Sequence, residues 1–203
     1  METPTTIPKR GGIGSDDFKK LVIKNSYVDK SLFVKDIIED SHDVILITRP
    51  RRWGKSSNMS LLQTFLEIEV DKEGNPLPEA QKENPVYFTG GIIEEDGIEE
   101  TLSPLKVIDK VYYSAEKDYE TYRKTMNKLG KDPVILINFK DLGGSSCEEL
   151  VEGLKVKLRK LFTEYKYLLA SPHLDVIDKD LFTAYLYWSW KKKRNSLGNP
   201  PTW

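Results

Sequence analysis

Two stretches of this chain are apolar without a break. One is residues 44–47 (Val-Ile-Leu-Ile), and the other lies within Pro133-Val134-Ile135-Leu136-Ile137-Asn138-Phe139. Polar residues bound each run, and the length suits a strand buried on both faces, the pattern of a central parallel strand between helices. Elsewhere the pattern turns helical. Phe33, Val34, Ile37 and Ile38 share one face after Asp29-Lys30-Ser31, where Ser31 or Asp29 can cap the helix start. Over residues 55–68, Met59, Leu62, Phe65 and Leu66 form a face expected to meet the sheet. Tyr119, Tyr122, Met126 and Leu129 predict a helix over 115–129, with Gly130 where a C-terminal glycine cap belongs. Ser145-Ser146-Cys147-Glu148-Glu149 offers two overlapping capping boxes to a long helix striped by Leu150, Val151, Leu154, Leu158, Leu161, Phe162 and Tyr165. Ile177, Leu181, Tyr185 and Trp188 mark a weaker last helix, while residues 71–85 read as a loop and residues 86–105 as irregular.

Composition narrows the function class. Of the 203 residues, 31% are charged and 38% apolar, a globular balance and not a membrane or disordered one. The formal net charge of -1 means that any nucleic-acid affinity must come from a local patch. The single cysteine, Cys147, cannot form an intramolecular disulfide, which fits a reducing, intracellular and cytoplasmic setting. No run reaches the roughly 18 apolar residues that a membrane span needs. Residues 1–14 read as a flexible lead. Residues 191–203 read as a basic, proline-bearing tail whose Lys191-Lys192-Lys193-Arg194 is foremost a solvated helix end.

The chemistry concentrates between the first apolar run and the helix after it, in Thr48-Arg49-Pro50-Arg51-Arg52-Trp53-Gly54-Lys55-Ser56-Ser57. A phosphate-binding loop joins a strand to a helix whose free N–H groups face the anion. Its glycine lets the backbone approach phosphate, its lysine reaches the β- and γ-phosphates, and the following hydroxyl holds Mg²⁺. Gly54, Lys55 and Ser56 fit those parts. Arg49 stands where such a loop usually has its first glycine, and Pro50 restricts it further. Arg51 and Arg52 can meet phosphate with their guanidinium forks. On this pattern a nucleotide site and a basic, capped turn with solvated arginines stand level.

Further stretches match in order. They are Gly12-Ile13-Gly14-Ser15-Asp16-Asp17-Phe18-Lys19-Lys20-Leu21, Tyr27-Val28-Asp29-Lys30-Ser31-Leu32-Phe33, the Arg-Pro-Arg-Arg-Trp-Gly-Lys-Ser run with Asn58-Met59-Ser60-Leu61-Leu62, and the second apolar run continuing to Lys140-Asp141-Leu142. With the Tyr165-Lys166-Tyr167-Leu168-Leu169 segment they resemble, over about residues 9–185, the N-terminal half of the AAA-ATPase-like family. These are P-loop proteins often joined to a restriction-nuclease-like domain. In that family an arginine in the first-glycine place is the rule, and Trp53 and Ser56 replace a usual phenylalanine and threonine.

The resemblance implies an α/β, P-loop NTPase-like parallel sheet flanked by helices over residues 15–190, incomplete at its C-terminal side. It also implies that ATP and Mg²⁺ are bound by Arg49, Arg51, Arg52, Gly54, Lys55, Ser56 and Ser57, with Ser56 on the metal.

An acidic strand end of the Walker B type is missing. Asp141 ends a neighbouring strand in the resemblance, and the cluster at residues 175–180 is too charged for a buried strand. No catalytic residue is therefore assigned, and ATP turnover is expected to be slow or absent. An incomplete sheet would favour self-association or a partner chain that completes it. Two other classes stay open: a nucleic-acid module built on the basic loop, and a non-catalytic interaction domain. Asp29 and Lys30 can contact a nucleotide or another subunit, although a helix cap is the simpler role for Asp29. His42 and His173 read as solvent-exposed.

Overall fold

In a computed structural model the described residues are 15–187, except 25, 72–74, 96, 114–115, 141 and 172–173. The expected lead at residues 1–14, the basic tail at residues 191–203, Asp141 and His173 lie outside them. Contacts divide the chain into two units, one of residues 1–69 and 76–136, the other of residues 70–75 and 137–203.

The first unit is built on helices α1 (Phe18–Ile23), α2 (Leu32–Glu39), α3 (Lys55–Leu66), α4 (Val86–Thr89) and α5 (Glu116–Lys128). Between α4 and α5 lies a hairpin, β1 (Gly91–Glu95) and β2 (Ile98–Leu102), paired antiparallel with Ile93 opposite Glu100. Phe18, Val34, Leu61, Phe65, Phe88 and Val107 are wholly buried at its centre. The Phe18 and Phe88 rings stack at 5.1 Å, and Phe65 meets Phe88 edge-on at 5.0 Å. The helical patterns foresaw much of this: α2, α3 and α5 lie close to their expected spans. Gly130 takes a left-handed φ of 63°, and its N–H bonds the carbonyl of Phe65 at 2.8 Å.

The second unit holds α6 (Cys147–Glu164) and α7 (Val176–Leu186). Ser146 caps α6, its hydroxyl accepting the Glu149 N–H at 3.2 Å, while the Glu149 carboxylate reaches back to the Ser145 N–H at 2.7 Å. The capping motif therefore forms as its residues suggest. Phe162 of α6 packs edge-on against Phe182 and stacks on Tyr185 of α7, with centroids 4.7 and 5.1 Å apart. Residues 175–180 begin α7, where the Asp175 carboxylate accepts the Asp178 N–H.

The expected fold class is not what forms. There is no parallel sheet flanked by helices among the described residues, and the one sheet there is the two-stranded antiparallel hairpin. Neither apolar run becomes a strand. Residues 44–48 are unpaired and exposed, with Val44 at 83% and Leu46 at 85% of full exposure, and residues 135–137 are exposed as well. An apolar run of strand length states only that the segment tolerates burial. A strand forms when neighbours supply ladder hydrogen bonds and helices cover its faces; residues 44–47 make no backbone hydrogen bond among the described residues, and residues 135–137 stay exposed. The hairpin arises where the pattern read as irregular. Its short antiparallel strands need only a local turn, and Gly97 supplies the left-handed φ of 76°.

Candidate functional site

The site grows from the turn between residue 48 and α3. Arg52 and Gly54 both adopt left-handed backbone, with φ of 68° and 75°. This brings the chain round into α3 without a side-chain cap, so the N–H groups of Lys55, Ser56 and Ser57 have no partner among the described residues. Lys55 folds back over the turn. Its ammonium donates to the carbonyls of Arg49 at 2.6 Å and Pro50 at 2.9 Å. Two of its three N–H bonds are thus occupied in shaping the turn, and one remains for a ligand.

Beside this turn lies a cavity of about 540 Å³, lined by Lys30, Phe33, Ile45, Ile47, Arg49, Trp53, Lys55, Asn58 and Met59. Its volume is within the range of small-molecule pockets. Every charged residue in the lining is cationic. The nearest carboxylate in sequence, Asp29, is directed elsewhere: its two oxygens accept the N–H of Ser31 at 2.8 Å and of Lys106 at 2.9 Å. Asp29 therefore anchors the start of α2 and takes no part in the cavity. The Ser31 hydroxyl accepts the Val107 N–H at 3.0 Å, which ties the same turn into the core. Lys30 is held from behind by the Tyr27 hydroxyl, which accepts its backbone N–H at 3.0 Å. Burial pushes the Tyr27 phenol far up, so this support is uncharged at any physiological pH.

The expected binding residues divide. Arg49 and Lys55 line the cavity, Gly54 shapes its rim close to the Lys30 ammonium, and Ser56 and Ser57 lie in the first turn of α3. Arg51 and Arg52 are exposed and do not line it. Sequence reasoning missed Phe33, Ile45, Ile47, Trp53, Asn58 and Met59 as lining residues. Met59 was expected on a sheet-facing side, yet it is exposed at 42%. Its signal was available, since Asn58 and Met59 sit three and four residues after Lys55 and so share its helical face. His42 is exposed as expected, its ring nitrogen on Asp40.

Residues 12–78 match the family model AAA-ATPase_like, described as Predicted AAA-ATPase. Over that N-terminal stretch, about a third of the chain, the sequence is similar to that family. The match takes in the whole turn and every residue that lines the cavity, but not the later segments at 133–142 and 165–169. No curated protein and no solved structure matches the chain.

The resemblance had implied more than this. An ATP-binding, P-loop NTPase domain with a Walker A loop needs a parallel sheet to present the loop. That sheet is absent among the described residues, so the P-loop NTPase and Walker A readings fail on architecture. Nor do the described residues contain a group of three or more His, Cys, Asp or Glu side chains able to hold a metal. No helix among them is long and apolar enough to cross a membrane.

Proposed function

We propose that the cavity beside the turn binds an organic phosphate through Lys30, Arg49, Lys55 and the first-turn N–H groups of α3, with Ser56 and Ser57 at their edge. The observation that carries this is the lining itself: three cations and no carboxylate, set against Phe33, Trp53, Ile45, Ile47 and Met59. Cations with no counter-ion among the described residues favour an anion, and a free helix start adds its N–H groups and dipole. The apolar and aromatic wall suits the organic part of the ligand. The family match supports a nucleotide as the class to test first. ATP is the first probe, but the proposal includes neither its hydrolysis nor a resident Mg²⁺, because the lining supplies only neutral and cationic groups.

The test is calorimetric titration with ATP and with inorganic triphosphate, each with and without Mg²⁺. Both anions are expected to bind, and binding is expected to persist in a chelator. Lys55→Ala removes a charged contact and should weaken both about tenfold or more. Trp53→Ala should weaken ATP while leaving triphosphate unchanged. Absence of binding by the folded wild type, or affinity indifferent to Lys55→Ala, would count against the reading.

A further inference from the structure

Residues 41–53 are exposed one after another, and in their middle the apolar run 44–47 makes no backbone hydrogen bond among the described residues. Free N–H and C=O groups on an extended apolar segment are a template for another strand. The chemistry of the segment indicates which strand. Reading outward from Leu46, Ile45 faces Ile47, Val44 faces Thr48, and Asp43 faces Arg49. The segment is therefore complementary to itself when reversed.

We propose that this chain self-associates through residues 43–49, which pair antiparallel with the same residues of a second copy about a two-fold axis at Leu46. Antiparallel pairing in this register sets each Asp43 against Arg49 of the other copy, at both ends of the ladder. Directly opposed unlike charges stabilise a strand pair, and like charges destabilise it. A parallel, in-register pairing would set Asp43 on Asp43 and Arg49 on Arg49, so the charges select the antiparallel form. Side chains alternate along a strand, so Ile45, Ile47 and Arg49 share one face, which agrees with all three lining the cavity. Val44 and Leu46, the two most exposed residues of the run, share the other face. There Leu46 would meet Leu46 and Val44 would meet Thr48, covering apolar surface that the single chain leaves in water. Pro50 has no N–H to extend the ladder, which ends the pairing beside Arg49. The second apolar run is a poorer partner, because Pro133 lacks a donor and Val134 already has an interaction of its own. An isologous contact of this kind closes on two copies.

Sedimentation velocity over a concentration series at low salt tests this, with circular dichroism verifying the fold of each variant. The wild type should show a reversible monomer–dimer equilibrium. Asp43→Arg and Arg49→Asp each place like charges opposite one another and should weaken the dimer about tenfold. An equimolar mixture of the two single variants should regain association, because each then faces its opposite charge in the other chain. Leu46→Pro should also abolish the dimer, and Leu46 lies outside the core, so the fold should persist. A wild type that stays monomeric throughout the series would overturn the proposal. So would association that ignores charge reversal, or single variants that do not complement each other on mixing. Phosphate binding does not enter these measurements, so the two proposals fail separately.

Discussion

Gly54 and Arg52 show how one turn can hold both a favourable and a costly backbone choice. Gly54 at φ 75° occupies the left-handed region at no steric cost, and a Cβ there would meet the Lys30 ammonium at an ordinary 3.6 Å. Space is therefore not what excludes alanine; backbone strain is. Gly54→Ala should destabilise the chain by about 1 kcal/mol. Arg52 at φ 68° carries the same strain with a side chain present. Arg52→Gly should relieve it and leave stability unchanged or slightly raised, although glycine usually costs entropy in the unfolded chain. Urea titration of both variants checks the pair, and equal losses in the two would contradict this assignment of strain. The same residues show where reading the chain ran short. Gly54 was identifiable because glycine is the usual answer to a left-handed turn, whereas nothing in the type of Arg52 announces a positive φ.

At the scale of elements, local rules carried furthest where the stabilising contacts are themselves local. The α6 start is an example, since Ser146 and Glu149 are close in sequence and their bonds need no other part of the fold. Ser146→Ala should cost about 1 kcal/mol, the usual value of a lost N-cap. The change should appear as faster amide exchange in the first turn of α6, with the exchange of α3 unaltered. Protection of that turn equal to wild type would mean that the Glu149–Ser145 contact alone holds the helix start. Residues 44–47 and 134–137 went the other way. Their hydrophobicity named them as strands, yet pairing depends on segments distant in sequence, and apolar pattern carries no address for a partner.

Across the first unit, an ion cluster joins segments far apart in the chain. Glu79 accepts hydrogen bonds from the ammonium groups of Lys131 and Lys82, each at 2.7 Å. Lys131 and then Lys82 hold the Glu79 carboxyl down at about 2, from an ordinary value of 4.5. A carboxyl depressed in the fold contributes stability that is fully present above its unfolded value and lost as pH falls through the folded one. Acid denaturation should therefore weaken the wild type progressively between about pH 4.5 and about pH 2. Glu79→Gln should be less stable than wild type near neutrality, and the gap should close over that window. A gap that stayed constant with pH would show that charge is not the cause. Lys82 is only 4% exposed at its side chain while Glu79 is 70% exposed. A buried lysine thus pairs with a carboxylate that stays exposed, an arrangement that spacing along the chain did not reveal.

What the sequence determined by itself is the set of features whose causes lie within a few residues. These are the helices α2, α3, α5 and α6, the capping motif at Ser145 and Ser146, the glycine turns at Gly54 and Gly130, and a basic turn ahead of α3. Tertiary structure decided everything that depends on distant neighbours. It left residues 44–47 without a strand partner among the described residues, built a hairpin where no strand was expected, and tied Asp29 to the distant Lys106 N–H. It also gathered Lys30 and Phe33 from α2 and its approach to face Arg49, Lys55 and Met59 across one cavity. Helix signals are legible because a helix satisfies its own backbone within each turn. Sheets and pockets are not, because their bonds and walls come from other parts of the chain.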